Sequence, residues 1–403
     1  MKKIISIIAT VVATSFIMPV AHADMFSVTE QSHNLIGLSE AHKLGFDGKG
    51  QYVVVIDTGV LSNHEYLRGT IADGFCASEY ACGINVGKSG IAFGEVTKDP
   101  VSGRMDDHGS MVAGVIAGQR NAFAPGGIAP KAKIISINNT NGNEAGIIRG
   151  LEWVLSIKSK YNIVAVSASF GTPGPGDRNG ESSCSISNRI ESAIDKLYSS
   201  GIAFVAASGN SGGYSNVDFP ACLSKVFAVG AVNSTGQITS YSNIGKQISS
   251  LAPADIVTAS ANGGYWTGAG TSTSAPVVAG AIAILKQANP KSSLEDIRKA
   301  LASTNTYKDD QIWGNLPVLN IPIALKSIMG ETVQFKTVSR VNQSTVAINT
   351  SSDNTSKLND QISALTAKIN ELQNEIIKNN STVNSLNKKL AKVCSVKPKP
   401  KYC

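Results

Sequence analysis

The chain has 403 residues and a formal net charge of +7, but the excess does not mark a nucleic-acid or anionic-surface binder. Lys2 and Lys3 supply two charges, residues 331–403 hold 11 Lys/Arg against 5 Asp/Glu, and the stretch between is close to neutral. Without a set of aromatic stacking residues among them, the tail's lysines read as a solvated helical face, which excludes a nucleic-acid partner at this level of reading.

Residues 1–23 have the layout of a secretory signal: Lys2-Lys3, an apolar stretch from Ile4 to Met18, then Pro19 and Ala21-His22-Ala23. The stretch is shorter than the ~20 residues that cross a bilayer, so cleavage after Ala23 is expected and a retained anchor is not. The run Ala275 to Leu285 is shorter still, so no transmembrane span is expected. The expected destination is the periplasm, the cell surface or the medium.

From 24 to 330, short β-rich runs (Tyr52–Ile56, Ala132–Ile137, Ile163–Phe170, Ala203–Ala207, Val226–Val229) alternate with helical patterns at Glu144–Lys158, Ser187–Ser199 and Ser274–Gln287. That alternation predicts an α/β domain with a doubly wound, mostly parallel sheet. Residues 331–356 form a polar linker, rich in Ser, Thr and Asn from 339 onward. Within 357–393, apolar residues then recur at spacings of four and three: Leu358, Ile362, Leu365, Ile369, Leu372, Ile376, Val383, Leu386, Leu390 and Val393, with Asn379 breaking the line. This period predicts a C-terminal coiled coil and a homo-oligomer, with Ile and Leu alternating along the seam favouring a parallel dimer and Asn379 fixing register. The alternative for this helix is docking on its own catalytic domain. A basic tail, 394–403, is bounded by Cys394 and Cys403.

Six cysteines in an exported chain read as bridges before metal ligands, and no Cys-x-x-Cys occurs. Spacing selects Cys76–Cys82, Cys184–Cys222 and Cys394–Cys403 from the fifteen possible connectivities.

Three segments carry chemistry. Asp57 ends an apolar run and is followed by the turn Thr58-Gly59; His108 opens a helix of small residues; Ser272 lies in Gly270-Thr271-Ser272-Thr273-Ser274-Ala275-Pro276. A hydroxyl nucleophile needs a general base, and the base needs an acid to orient it. The order Asp, His, Ser differs from that of chymotrypsin-like enzymes and α/β-hydrolases. Pro276 fits the first turn of a helix, where its missing donor costs little, and places Ser272 at a positive helix end. The Ser272 N–H then serves as one oxyanion donor and Asn210, on the turn Ala207-Ser208-Gly209-Asn210, as the second. The ordinary titration of histidine predicts loss of activity below roughly pH 6.

Together these segments resemble the subtilase family of serine peptidases. The aspartate motif is Val55-Ile56-Asp57-Thr58-Gly59-Val60, the histidine motif Asp107-His108-Gly109-Ser110-Met111-Val112-Ala113-Gly114, and the serine motif Gly270 to Pro276. Ser169-Phe170-Gly171, Phe219-Pro220-Ala221, Val229-Gly230-Ala231 and Tyr241-Ser242-Asn243 also match, and the similarity covers about 34–328. The resemblance implies a subtilisin-like fold and an endopeptidase acting on protein or peptide substrates through an acyl-enzyme, with no cofactor and no catalytic metal. It also implies that Ser169–Gly171 and Ala207–Gly209 wall the main side-chain pocket. Their small size suggests an open apolar slot, while Asp177 and Glu181 nearby would add a basic preference; the sequence leaves both open.

Departures from the family pattern are informative. Met111 stands where the family commonly has a second histidine, and an insertion holding Cys76 and Cys82 separates Asp57 from His108. In place of the family's calcium loop the chain reads Gln119-Arg120-Asn121-Ala122-Phe123, and Arg120 is unsuited to a site of oxygen ligands. Only 33 residues lie between Ala23 and Asp57, too few for an inhibitory prodomain. A second functional class, an oligomeric coiled-coil binding or scaffold protein with a degenerate peptidase domain, is disfavoured by the intact Asp57, His108, Ser272 and Asn210.

Overall fold

Between Tyr52 and Asp57 run four consecutive β-branched residues, Val53 to Ile56, without polar alternation, and such a run suits a strand covered on both faces. It forms β1, the strand on which the architecture turns. The computed structural model describes residues 26–330 apart from 99–101, 141–142, 173–183, 185–186, 214–216 and 310–313. The signal segment, the linker, the coiled coil, the Cys394–Cys403 pairing, and Asp177 and Glu181 lie outside the described residues.

In chain order the elements are α1 (26–35), α2 (Leu38–Lys43), β1 (Tyr52–Asp57), β2 (Ile71–Cys76), α3 (Glu79–Cys82), α4 (His108–Ala117), β3 (Lys133–Asn138), α5 (Glu144–Ile157), β4 (Ile163–Ala168) and α6 (Asn188–Ser199). They continue with β5 (Ala203–Ala207), β6 (Val226–Val232), β7 (Ile248–Pro253), β8 (Val257–Ala259), β9 (Tyr265–Thr267), α7 (Thr271–Ala288), α8 (Leu294–Ala302), β10 (Asn305–Asp309), β11 (Gly314–Val318) and α9 (Ile321–Met329). Nine strands form one sheet in the order β10-β11-β7-β6-β5-β4-β1-β3-β2, parallel except for the β10–β11 pair, and β8 with β9 forms a separate antiparallel ribbon. The protein is therefore α/β with a mostly parallel sheet.

The alternation of β1 divides the core. Val53 and Val55 join one apolar cluster with residues of α4, α7, α8 and α9, and Val54 and Ile56 join another with residues of α5 and α6. Chain direction along the sheet reverses around β1, which pairs with β3 on one side and β4 on the other. Ligand crevices of open α/β sheets form at the carboxyl ends of strands where the winding switches. Asp57, the last residue of β1, stands there.

Two helices bring the remaining groups to that edge. Along α4, residues 109 to 117 are all buried, and its glycines permit close approach: a Cβ on Gly109 would collide with the Gly59 carbonyl. The run Ala275 to Leu285 lies inside α7 and is wholly buried. Hydrophobic all round, it is a core helix, and no helix among the described residues is long and apolar enough to cross a membrane. Cys76 is bonded to Cys82 and Cys184 to Cys222, with Cα separations of 6.2 and 5.7 Å.

Candidate active site

Position follows from the sheet. β5, β4 and β1 are consecutive and parallel, so Ser208–Asn210, Ser169–Gly171 and Asp57 leave neighbouring strands at one edge. The ring of His108, first residue of α4, reaches Asp57 with Nδ1 2.8 Å from Oδ1 and 2.9 Å from Oδ2. Thr58 fastens the pair from both sides. Its N–H donates to Asp57 Oδ1 at 2.8 Å, and its hydroxyl accepts from Gly109 N–H at 3.0 Å.

The Asp57 side chain is 3% exposed and that of His108 34%, so the carboxylate is shielded while the imidazole still faces the cleft. The charge of Asp57 raises the His108 pKa to about 9, against burial, which lowers it; the hydrogen bond to Asp57 and the charge of Asp106 add to the rise. This contact moves the expected acid limit of activity upward from the ordinary histidine range, because the proton that blocks the base is held by a close, desolvated carboxylate. The other described histidines have structural environments: His64 bonds Gly264 O and the Tyr66 N–H, His42 bonds Ile128 O, and burial takes His33 down to about 3.

Ser272 is the second residue of α7, which starts earlier than the sequence pattern indicates, at Thr271 behind the N-cap Gly270 with its φ of 90°. Pro276 therefore lies in the second turn, not the first. It has no N–H to give the carbonyl four residues back, that of Ser272. Ser169 Oγ supplies the missing donor at 2.8 Å. In return the Ser272 hydroxyl donates to Ser169 O at 3.3 Å.

Asn210 is exposed, and its carboxamide is oriented by Thr271, whose N–H and hydroxyl both donate to Oδ1, at 2.9 and 3.0 Å. With Oδ1 so committed, Nδ2 is the end left to meet a ligand. Thr273 N–H donates to Gly270 O at 3.0 Å, which leaves the Ser272 N–H between two engaged neighbours, one of the first-turn donors that a helix cannot satisfy internally. Tyr241, through its hydroxyl, accepts from Gly270 N–H at 3.0 Å and steadies the helix start.

A cavity of about 270 Å³ adjoins this edge, lined by Asp57, Thr58, His108, Asn139, Ile147 and the segment Ser169 to Thr172. The structure thus brings Asp57 and His108 into contact and ties Ser169 to Ser272, and Asn210 to Thr271. Sequence reading missed Thr58, Thr271 and Tyr241, although each lies within or beside a motif already singled out. Among the described residues no group of three His, Cys, Asp or Glu side chains is placed to hold a metal. In the segment from Gln119 the side chains are engaged within the protein. Arg120 donates to Pro125 O at 3.4 Å and pairs with Glu30 at 3.3 Å, while Asn121 Oδ1 accepts from the Phe123 and Ala124 N–H groups.

A mostly parallel sheet with an Asp–His couple at its switch point and a serine at a helix start defines the class of subtilisin-like serine proteases. The sequence matches the subtilase family, Peptidase_S8, over residues 48–317. It is 33% identical over 290 residues to the minor extracellular protease Epr of Bacillus subtilis (strain 168), covering 69% of this chain and 39% of that protein. It is 31% identical over 291 residues to subtilisin NAT of Bacillus subtilis subsp. natto, covering 70% of this chain and 68% of that one. A crystal structure of a cold adapted subtilisin-like serine proteinase superposes with a TM-score of 0.53 at 27% identity, over 68% of this chain and 90% of that one. The chain belongs to the subtilase family.

Proposed function

We propose that the protein is an exported serine endopeptidase in which Asp57, His108 and Ser272 form the triad and Asn210 the side-chain oxyanion donor. The observation that carries this reading is the two-oxygen contact of Asp57 with His108 Nδ1, which assigns that nitrogen the proton and leaves Nε2 as the acceptor. In the proposed cycle the Ser272 hydroxyl leaves Ser169 O and donates to Nε2. Its oxygen attacks the peptide carbonyl carbon as the proton passes to Nε2, and the oxyanion is held by Asn210 Nδ2 and the Ser272 N–H. Collapse breaks the C–N bond, the amine leaves with the proton from Nε2, and water repeats the cycle on the acyl-enzyme. Ser169, Phe170 and Gly171 face Ala207, Ser208 and Gly209 as the walls that hold the substrate. A fluorophosphonate is expected to label one serine per chain, Ser272, in step with loss of peptide hydrolysis; hydrolysis that survives full labelling refutes the reading.

Asn210→Ala is expected to fold and to lose about 10²–10³ in kcat with little change in KM, the magnitude found when one such donor is removed from a subtilisin. An unchanged kcat would remove Asn210 from the site. No cofactor enters any of these steps. Calcium in the Gln119–Phe123 segment is not part of the proposal, because Arg120 already supplies a cation there.

Export rests on residues 1–23 and is supported by the two disulfides, which persist in oxidising compartments. The relative named as an extracellular protease agrees with it. The organisation proposed is a peptidase domain at 24–330, a linker at 331–356, a coiled coil at 357–393 that pairs two copies, and a tail closed by Cys394–Cys403. Light scattering of the intact mature chain should give twice the chain mass. A monomeric mass would end the coiled-coil proposal without touching the catalytic one.

A further inference from the structure

The insertion that separates Asp57 from His108 reaches the couple through Thr140. Asn138, the last residue of β3, accepts the N–H groups of Ala77 and Ser78 at its carbonyl, at 2.9 and 3.2 Å, and its Nδ2 donates to Glu95 O at 2.6 Å. The Ser78 hydroxyl donates to Thr140 O at 2.6 Å and accepts from Ala81 N–H at 3.3 Å. Ser78 and Ala81 lie inside the loop closed by the Cys76–Cys82 bond. From α5, Arg149 donates to Ala77 O and pairs with Glu79 of the same loop at 3.3 Å. The turn after β3 is thus held from outside by a covalently closed segment.

Its inner side meets Asp57. Asn139 N–H donates to Asp57 O at 2.6 Å, and the Thr140 hydroxyl donates to Thr58 O at 3.1 Å. That hydroxyl also lies 2.8 Å from Asn138 Oδ1, but the Thr140 N–H already serves Oδ1 at 3.1 Å, which leaves the one hydroxyl proton for Thr58 O. Thr58 in turn gives its N–H to Asp57 Oδ1 and takes the Gly109 N–H on its hydroxyl. Hydrogen bonds therefore run step by step from Ser78 through Thr140 and Thr58 to the carboxylate that faces His108 Nδ1. A Thr58 carbonyl deprived of its donor would turn to find another, and the residue would carry its own N–H away from Asp57. We propose that Thr140 is a positioning residue: it holds Thr58, and through it the Asp57 carboxylate, in the two-oxygen contact with His108, and the Cys76–Cys82 loop braces it through Ser78. The proposal rests on the reading of Asp57 and His108 as the acid and base of the triad.

The test uses the full mature chain and the variants Thr140→Val, Thr140→Ser and Ser78→Ala, with peptide p-nitroanilide hydrolysis followed across pH. Valine keeps the shape of the side chain and removes its donor, whereas serine keeps the donor. Thr140→Val is expected to lower kcat about 10- to 100-fold with KM little changed, compared at a pH above the acid limb of both proteins. Its acid limb in kcat/KM should also lie at lower pH than that of the wild type. Asp57 and Asp106 are the charges that raise His108, and a displaced Asp57 no longer meets Nδ1 with both oxygens. Thr140→Ser should restore both quantities, and Ser78→Ala should move both in the direction of the valine variant by less. Lower thermal stability with kcat and limb unchanged, a fall in kcat with the limb unmoved, or a serine variant as impaired as the valine one would overturn the proposal. Should circular dichroism show that Thr140→Val does not fold, Ser78→Ala decides, and a wild-type profile from it would overturn the proposal. Asp57→Asn is the control: full hydrolysis by that variant would sink the triad reading itself, whereas unchanged Thr140 variants beside an impaired Asp57→Asn would sink this proposal alone.

Discussion

Replacing Ser272 by alanine should lower kcat by about 10⁶ while leaving KM close to the wild-type value, the scale seen when the nucleophile of a subtilisin is removed. The side chain contributes little to the fold, since the hydrogen bond it makes to Ser169 O is long at 3.3 Å. What disappears is the oxygen that forms the acyl-enzyme. A residual rate of about 10³ over water is expected to remain, because Asn210 Nδ2 and the residue-272 N–H still polarise the carbonyl for direct attack by water. Adding His108→Ala should cost little more, since a base without its nucleophile has nothing to activate. Peptide hydrolysis by single and double variants checks this; a Ser272→Ala protein within tenfold of the wild type would place the nucleophile elsewhere.

Asp57→Asn should cost about 10⁴ in kcat, compared at a pH where His108 is neutral in both proteins, with the geometry intact, because an amide facing His108 Nδ1 favours the wrong tautomer. The same change tests the electrostatics. The carboxylate is the main reason the imidazole is raised to about 9, so its removal should bring the acid limb of kcat/KM down toward the ordinary histidine range. In the wild type, activity is expected to rise as pH climbs through about 9, where His108 would lose its proton and act as the proposed base. Stability has the opposite dependence. The folded state binds that proton more tightly than the unfolded chain, so the contribution is fully present below about pH 6.5 and is lost as pH rises through about 9. A limb that does not move in Asp57→Asn would show that something other than this contact sets the imidazole's basicity.

The sheet's interior was readable because five of its strands are dominated by apolar residues, many of them β-branched, and these match β1, β3, β4, β5 and β6 to within a few residues. β2 escaped notice because Asp73 and Gly74 break its run, and β7 because Ser249, Ser250 and Pro253 dilute it. Both are set by pairing with a neighbour more than by local preference. At the candidate site, residues with an unusual local setting stood out: Asp57 closing an apolar run, His108 opening a helix, Asn210 after a glycine turn. Thr58 and Thr271 did not, since an ordinary threonine acquires its task only through what folds against it. α7 starts three residues before the sequence pattern indicates, because Pro276 lies in its second turn and not its first.

That proline couples recognition to reaction. Its absent amide hydrogen obliges the backbone at Ser272 to lean on Ser169, so the attacking atom and the rail on which a substrate is laid share a rivet. If Ser272 is the nucleophile, part of the orientational entropy that a bimolecular encounter would forfeit has been settled when the chain folds.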